Sequence, residues 1–373
     1  MDSLKINLEK LRASRKKIVG CLPLYPPMEI FHAMDLVPVT LWGLRDMIRN
    51  LNESDRHIQN YSCSVARRAA EFILSENGMM LDGIFAYNAC DTLRNLPEIL
   101  SNGLQAAARP LPMFQIHIPM VPAGQTNARD YLCNEISSLI QLLEKTFHIS
   151  FSSDRFQDSV AKYNEVRNLY RRMEKQVASG KITFRDFMIA FHNSGFLPVE
   201  DQIRFLSESL ACCRNKEPES QNHPVMISGI LPPPVPVIQA IEEAGLRIVC
   251  NDVASLGRYY GYSPEPVESA GQYYAGFYEN HIPCPTLLYS ADKRMEYLDS
   301  LLQETGAKGV IFAGEKFCEY EYFEFPYLQK RLNDQGIPSL LIEIAVDDED
   351  HIASLKNRID AFAELIGQHQ GRK

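Results

Sequence analysis

Nine cysteines are spread over 373 residues, and three of them stand where a thiol can do chemistry. Cys318 follows the apolar run Gly309 to Phe312 and the breaker Ala313-Gly314, and precedes apolar residues at helical spacing from Glu324 to Gln335. Beyond Gly336, Pro338 opens a second apolar run, Ser339 to Ile344. The pattern reads strand, loop, helix, strand, with Cys318 in the loop past the carboxyl end of a strand. Open parallel α/β sheets put ligands there, because those loops vary freely and helix amino ends supply positive potential. A single cysteine is most often a small buried hydrophobe, but this placement recurs. Phe85 to Tyr87 follows Asp82-Gly83 and leads through Asn88-Ala89 to Cys90-Asp91 and the helical pattern Thr92 to Leu100. Cys63 precedes another helical pattern, Val65 to Leu74, with apolar residues at Val65, Ala69, Phe72 and Ile73. All three thiols are expected at helix amino ends, where the macrodipole lowers a thiol pKa and favours a thiolate-ligated group. Spacing alone does not separate zinc from iron–sulfur.

The other cysteines read differently. Cys21 closes a strand, Cys133 faces along a long helix, and adjacent Cys212 and Cys213 point in different directions, so they cannot easily hold one metal together. Cys284 sits extended between Pro283 and Pro285 and is a reserve ligand only. Glu29 and His32 share a helix, but without a third ligand nearby in sequence they read as a polar face at helical spacing.

The elements that must position the three thiols alternate strand and helix. Ile18 to Leu22 is the first strand, Met28 to Met34 a helix opened by Pro26-Pro27, and Val37 to Trp42 the second strand. Met113 to Ile118 is a further strand, followed by a helix from about Asn127 to Phe147. Asp154 to Gln176, Thr183 to His192 and Glu200 to Arg214 then read as three helices with no strand between them, which marks a connection between two α/β domains. Alternation resumes with the strand Val225 to Ile230, a helix from Pro232 to Ala244 and the strand Leu246 to Cys250. Asn251 to Cys284 reads as an irregular tyrosine-rich loop, a lid or a surface that meets another subunit. Helical patterns at Asp292 to Thr305 and Ile352 to Ile366 complete the chain. The expected fold class is α/β, two parallel-sheet domains at residues 1–150 and 221–373, joined by helices at 151–220. Cys63 and Cys90 belong to the first domain and Cys318 to the second. No internal sequence repeat or low-complexity tract is visible.

Composition bounds the function. Hydrophobic residues make up 45% and charged residues 23%, as in a globular chain that folds without staples. A formal net charge of −9, without a basic stripe, argues against nucleic acid as a partner. The amino end, MDSLKINLEKLRASRKK, is an amphipathic charged helix without the apolar core of a secretory signal, and no apolar run reaches membrane-spanning length. An odd number of cysteines without an export signal reads as reduced cytoplasmic thiols. Neither G-x-G-x-x-G nor G-x-x-x-x-G-K-[ST] occurs, so ATP chemistry must belong to another polypeptide.

The runs GCLPLYPPMEIFHAMDLVPVTLWG, FAYNACDTLRNLPEIL, PCPTLLYSADKRMEYL and KFCEYEYFEFPYLQKRLNDQGIPSLLIE resemble the 2-hydroxyacyl-CoA dehydratase and benzoyl-CoA reductase family. The resemblance covers nearly the whole chain, the middle helices least well, and is most specific at Cys90-Asp91 and Lys316 to Glu319. It implies two flavodoxin/Rossmann-like domains with a [4Fe–4S] cluster in the cleft, held by Cys63, Cys90 and Cys318. Three thiolates leave one iron without a cysteine. It further implies radical chemistry on an acyl-CoA substrate, the loss of water from a 2-hydroxyacyl-CoA to give an enoyl-CoA. The electron would come from an ATP-dependent iron–sulfur activator, in an anaerobic setting, and the enzyme would be a heterodimer with a homologous second subunit. This compact chain is the expected electron relay, and no residue of it is assigned a catalytic role. The alternatives are a subunit of a benzoyl-CoA-type reductase, a homodimeric iron–sulfur reductase, and a non-catalytic metal-binding scaffold. Two stretches depart from family patterns. Asp252 to Gly257 lacks the extra cysteine of double-cubane relatives, and His351 to Ser354 replaces a Gly-Gln pair before Arg358-Ile359-Asp360-Ala361-Phe362.

Overall fold

The computed structural model describes residues 3–22, 24–41, 44, 48, 50–122, 125–213, 223–287, 291–344 and 352–370. Short apolar strands separated by amphipathic helices return each strand parallel to the last, because the crossover helix must cover the sheet face. The chain does this twice. In the amino-terminal half, α1 (Ser3–Ala13), β1 (Lys17–Cys21), α2 (Met28–Ala33), β2 (Leu36–Thr40), α3 (Ser64–Leu74), β3 (Gly83–Tyr87), α4 (Asp91–Ala106), β4 (Met113–Ile116) and α5 (Thr126–Phe147) form a parallel sheet of order β2-β1-β3-β4 with its helices. Every residue of β2 and β3 is buried, as expected of strands covered on both faces. Pro38 pairs with Val19 on an edge strand, the place where a missing N–H is tolerated.

Three helices follow, α6 (Ser153–Ala178), α7 (Phe184–Ser194) and α8 (Val199–Cys213). The second parallel sheet is built from β5 (His223–Gly229), α9 (Val235–Glu243), β6 (Leu246–Val253), α10 (Gly257–Gly261), α11 (Ala270–Asn280), α12 (Ala291–Thr305), β7 (Val310–Glu315), α13 (Glu319–Asp334), β8 (Ser339–Ile344) and α14 (Ile352–Gln370). Its order, β6-β5-β7-β8, repeats that of the first sheet, so the topology is duplicated although no sequence repeat is visible. In both sheets the direction of winding reverses beside the first strand, and the carboxyl ends of β3 and β7 flank that reversal.

The expected elements are all present where the chain is described, with shifted ends. Trp42, Arg214 and His351, which bounded three of those expectations, lie outside the described residues. Strand β7 runs through Ala313-Gly314 to Glu315 instead of breaking there, because Ala313 and Gly314 pair with Ile342 and Glu343 on β8. Helix α13 begins at Glu319, five residues before the expected start, with Glu319 and Glu321 in its positive first turn.

The stretch from Asn251 to Cys284 is not an irregular lid. It contains the end of β6, then α10 and α11, and Tyr260, Tyr273, Tyr274 and Tyr278 are buried core residues. Their hydroxyls find partners inside: Tyr273 donates to Glu29 at 3.1 Å, Tyr274 donates to the same carboxylate, and Tyr278 donates to the Tyr25 carbonyl at 3.0 Å. These bonds fix α11 to the amino-terminal half, where it packs along α5. Glu29 is therefore no solvated polar face. It is fully buried and paired with Arg167 of α6 at 2.5 Å, which ties the helical segment to the first sheet as well. His32, on the same helix, contacts Ser159 at 2.7 Å and Glu200 at 3.2 Å. Among the described residues no helix is long and apolar enough to cross a membrane.

Candidate functional site

Each of the three cysteines singled out by sequence is the N-cap residue of a helix: Cys63 of α3, Cys90 of α4 and Cys318 of α13. Cys90 lies three residues past β3 and Cys318 three past β7, equivalent positions at the winding reversal of each sheet. All three side chains are half-buried against one hydrophobic core, the one that joins the amino-terminal sheet to α11. They are close enough for charge on one to be felt by the others: Cys63 by Cys90, and Cys318 by both. Two sheets far apart in sequence thus contribute to one patch of thiols.

Local backbone geometry aims N–H groups at the sulfurs. The Leu93 N–H donates to Cys90 Sγ at 3.4 Å, and backbone N–H groups of Val65 and Ala66 favour the thiolate at Cys63, as that of Glu321 does at Cys318. These are the orphan donors of a helix first turn. They do not win, however. Burial pushes the Cys63 thiol up to about 12, with the carboxylate of Glu315 adding to it. Burial also raises Cys90, and it raises Cys318 further still, with Glu321 as the next cause. The lowered thiol pKa values expected from the helix dipoles are therefore corrected: desolvation outweighs the dipole at all three positions.

Several polar groups that sequence reasoning passed over build the surroundings. Glu315 is buried at the end of β7, and its Oε1 accepts from the backbone N–H of Ser64 at 3.2 Å and from the Ser64 hydroxyl at 2.6 Å. Glu321 accepts from the Glu315 N–H at 3.0 Å, and burial raises its carboxyl to about 7. One turn further along α13, Glu324 pairs with Arg294 at 2.8 Å, and Arg294 pairs with Asp252 of β6 at 2.9 Å. Arg258, fully buried, faces Asp252 at 3.4 Å and donates to Cys284 Sγ at 3.3 Å. This network anchors the first two turns of α13, and with them Cys318, to the second sheet. Nothing in the run Gly314-Glu315-Lys316 flags Glu315 from sequence alone, since its burial and its partner Ser64 are set by the fold.

The remaining cysteines are elsewhere. Cys21 is a core residue, Cys133 is half-buried on α5, Cys212 is exposed and Cys213 buried on α8, Cys250 is buried in β6, and Cys284 belongs to the Arg258 network. A cavity of about 380 Å³ opens between α11 and α12, lined by Tyr278, His281, Cys284, Lys293 and Tyr297 among others, and none of the three helix-cap cysteines lines it.

Among the described residues no three His, Cys, Asp or Glu side chains converge on a point that one metal ion would occupy. At the helix caps themselves the donors are thiols, with backbone N–H groups directed at sulfur and the carboxylates of Glu315 and Glu321 close by. That chemistry fits an iron–sulfur cluster, whose separate irons take separate thiolates and whose potential is set by hydrogen bonds to sulfur. Cys63, Cys90 and Cys318 are the residues that could hold one.

A doubled flavodoxin-like fold with thiols from both halves at one patch defines a cysteine-site α/β protein, and comparison with known proteins narrows the class. Residues 23–366 match the family described as 2-hydroxyglutaryl-CoA dehydratase, D-component, and the chain belongs to that family. It is 23% identical to the (R)-phenyllactyl-CoA dehydratase beta subunit of Clostridium sporogenes, over 97% of this chain and 95% of that protein. It is 25% identical to the beta subunit of the (R)-2-hydroxyglutaryl-CoA dehydratase of Acidaminococcus fermentans, over 98% of this chain and 96% of that protein. One of the subunits of the benzoyl-CoA reductase of Thauera aromatica is similar too, at 24% over 94% of this chain and 91% of that protein.

Proposed function

We propose that this chain is the cluster-bearing, electron-relaying subunit of a 2-hydroxyacyl-CoA dehydratase, with Cys63, Cys90 and Cys318 as the ligands of a [4Fe–4S] cluster. The observation that carries the reading is the arrival of three thiols, each capping a helix and drawn from both sheets, at one half-buried patch. When bound, the cluster supplies one-electron transfer at low potential. The chain's own residues do the rest. Three caps present sulfur beside backbone N–H groups, the core beneath excludes water, and residues 1–150 and 221–373, taken as two domains linked through 151–220, close on the site from opposite sides.

The relay role, rather than substrate binding, is supported by the compact chain, which runs directly from Cys63 to Cys90 without a large insertion. The acyl-CoA substrate therefore belongs to a homologous second subunit, in keeping with relatives named as beta subunits. A separate ATP-dependent iron–sulfur activator delivers the electron, and the assembly is cytoplasmic. Similarity to part of a benzoyl-CoA reductase leaves aromatic acyl-CoA reduction as the second reading.

The test is an anaerobic spectroscopic titration of the assembled heterodimer with this subunit alone labelled with an iron isotope. Adding a 2-hydroxyacyl-CoA is expected to leave the labelled signal unchanged while enoyl-CoA accumulates in the presence of activator and ATP. A substrate-induced change in the labelled iron would move substrate binding to this chain. Accumulation of reduced aromatic ester, with no enoyl-CoA, would favour the reductase.

A further inference from the structure

Cys63 and Cys318 lie 255 residues apart by their numbers and cap different helices, α3 and α13, so something must hold their spacing. The covalent chain does not, and apolar contacts beneath them carry no direction. A polar connection crosses from one to the other. The Glu315 carboxylate receives both the backbone N–H and the hydroxyl of Ser64, the residue that follows Cys63 and begins α3. The same residue is tied to Cys318 through its backbone: the Cys318 N–H donates to the Glu315 carbonyl at 2.9 Å, closing a four-residue turn. Its own N–H is held by Glu321 at 3.0 Å, which fixes the turn against the first turn of α13. Phe317, within that turn, is held at φ 65°, a conformation an aromatic residue adopts only when its surroundings impose it.

We infer that Glu315 is the positioning residue that sets the distance between the thiols of Cys63 and Cys318, acting as a latch between the two sheets. It touches no reacting atom. Its side chain fixes one helix cap, its carbonyl fixes the other, and the fully buried strand end to which it belongs gives the latch a rigid base. A hydrogen bond in a desolvated setting such as this one leaves an unsatisfied buried polar group when broken, which is costly. The inference deepens the proposed cluster site and rests on that reading for its purpose, but the geometry it asserts exists without metal.

The experiment is therefore done on metal-free, reduced protein. Dibromobimane, which bridges two nearby thiols, is added at alkaline pH, and the bridged peptides are counted by mass spectrometry. The Cys63–Cys318 bridge reports the latch, and the Cys63–Cys90 bridge, within the amino-terminal half, is the internal reference for overall integrity. Glu315→Ala is expected to lower the ratio of the first to the second by at least about tenfold, since it removes both bonds to Ser64 and one hydrogen bond to a charged group alone is worth about that factor. Glu315→Gln retains an oxygen that accepts from Ser64 and is expected to restore the ratio to within about twofold of the wild type. An unchanged ratio in Glu315→Ala, or an equal fall in Glu315→Gln, would overturn the latch. Should Glu315→Ala not fold, Ser64→Ala carries the test, since it removes the 2.6 Å bond and leaves the carboxylate in place; a ratio at the wild-type level would then overturn it. Wild-type protein that bridges normally yet takes up no iron would sink the cluster reading and leave the latch standing.

Discussion

A thiol at a helix start is pulled in two directions, by dipoles that favour the thiolate and by burial that opposes it. In this chain burial prevails at Cys63, Cys90 and Cys318. If these thiols hold the proposed cluster, their deprotonation is coupled to metal uptake. Metal-free protein should accordingly alkylate at Cys212, which is exposed on α8, well before it alkylates at Cys63 or Cys318. Iodoacetamide labelling followed by peptide mass spectrometry measures the order, and prior modification of Cys318 would contradict the account. Residue-scale stability is concentrated at Glu29, whose carboxylate is enclosed by Arg167, Tyr273 and Tyr274. Glu29→Ala strands a buried guanidinium and should remove about 3–5 kcal/mol of stability in urea unfolding. A loss below about 1 kcal/mol would mean that water reaches Arg167 readily.

At the scale of elements, the turn from Glu315 to Cys318 joins β7 to α13 and forces Phe317 into the left-handed region, with its ring half in solvent. Phe317→Gly should relieve that conformation and raise stability by about 1 kcal/mol or leave it unchanged, since a non-glycine residue there is disfavoured by about 1–2 kcal/mol. A clear fall in thermal midpoint would show that the ring's contacts, including its approach to Lys316, outweigh the strain. The same junction shows what the sequence discloses and what it hides. Period and breakers reveal strand β7, the loop and the helix, and they place Cys318 at a helix start, because a cap position is local information. They misplace the start of α13, since Pro326 lies inside the helix and the apolar pattern strengthens only beyond it. Helix α11 was hidden for a different reason. Its tyrosines look like surface residues until Glu29, 244 residues before Tyr273, is seen to bind their hydroxyls. Glu315 was illegible in the same way, because its role depends on Ser64, at the start of α3 and 251 residues away.

For the molecule as a whole, two sheets of the same strand order lean on one set of helices, and the helical segment carries a buried acid of its own. Glu174 of α6 accepts from Asn251 at 2.7 Å, and burial raises its carboxyl to about 7. Because the folded state keeps a proton that the unfolded state has already lost, this group subtracts stability as pH rises from the ordinary carboxyl range through about 7. Glu174→Gln should therefore gain in thermal midpoint relative to wild type between about pH 5 and about pH 8. A difference that does not change with pH would remove Glu174 as the cause. His281 acts at the other end: burial lowers it to about 3, so its contribution is lost as pH falls below the ordinary histidine range.

The central claim is that thiols from both halves of the chain hold one iron–sulfur group. Iron content and visible absorbance of anaerobically reconstituted protein test it most directly, for the wild type and for Cys63→Ser, Cys90→Ser and Cys318→Ser, with Cys212→Ser and Cys213→Ser as controls. The account predicts about four irons per chain in the wild type and the controls, with iron and the sulfur-to-iron absorbance reduced or lost in each of the three helix-cap variants. Full iron in those three with loss in a control, or stoichiometric zinc in place of iron, would contradict it.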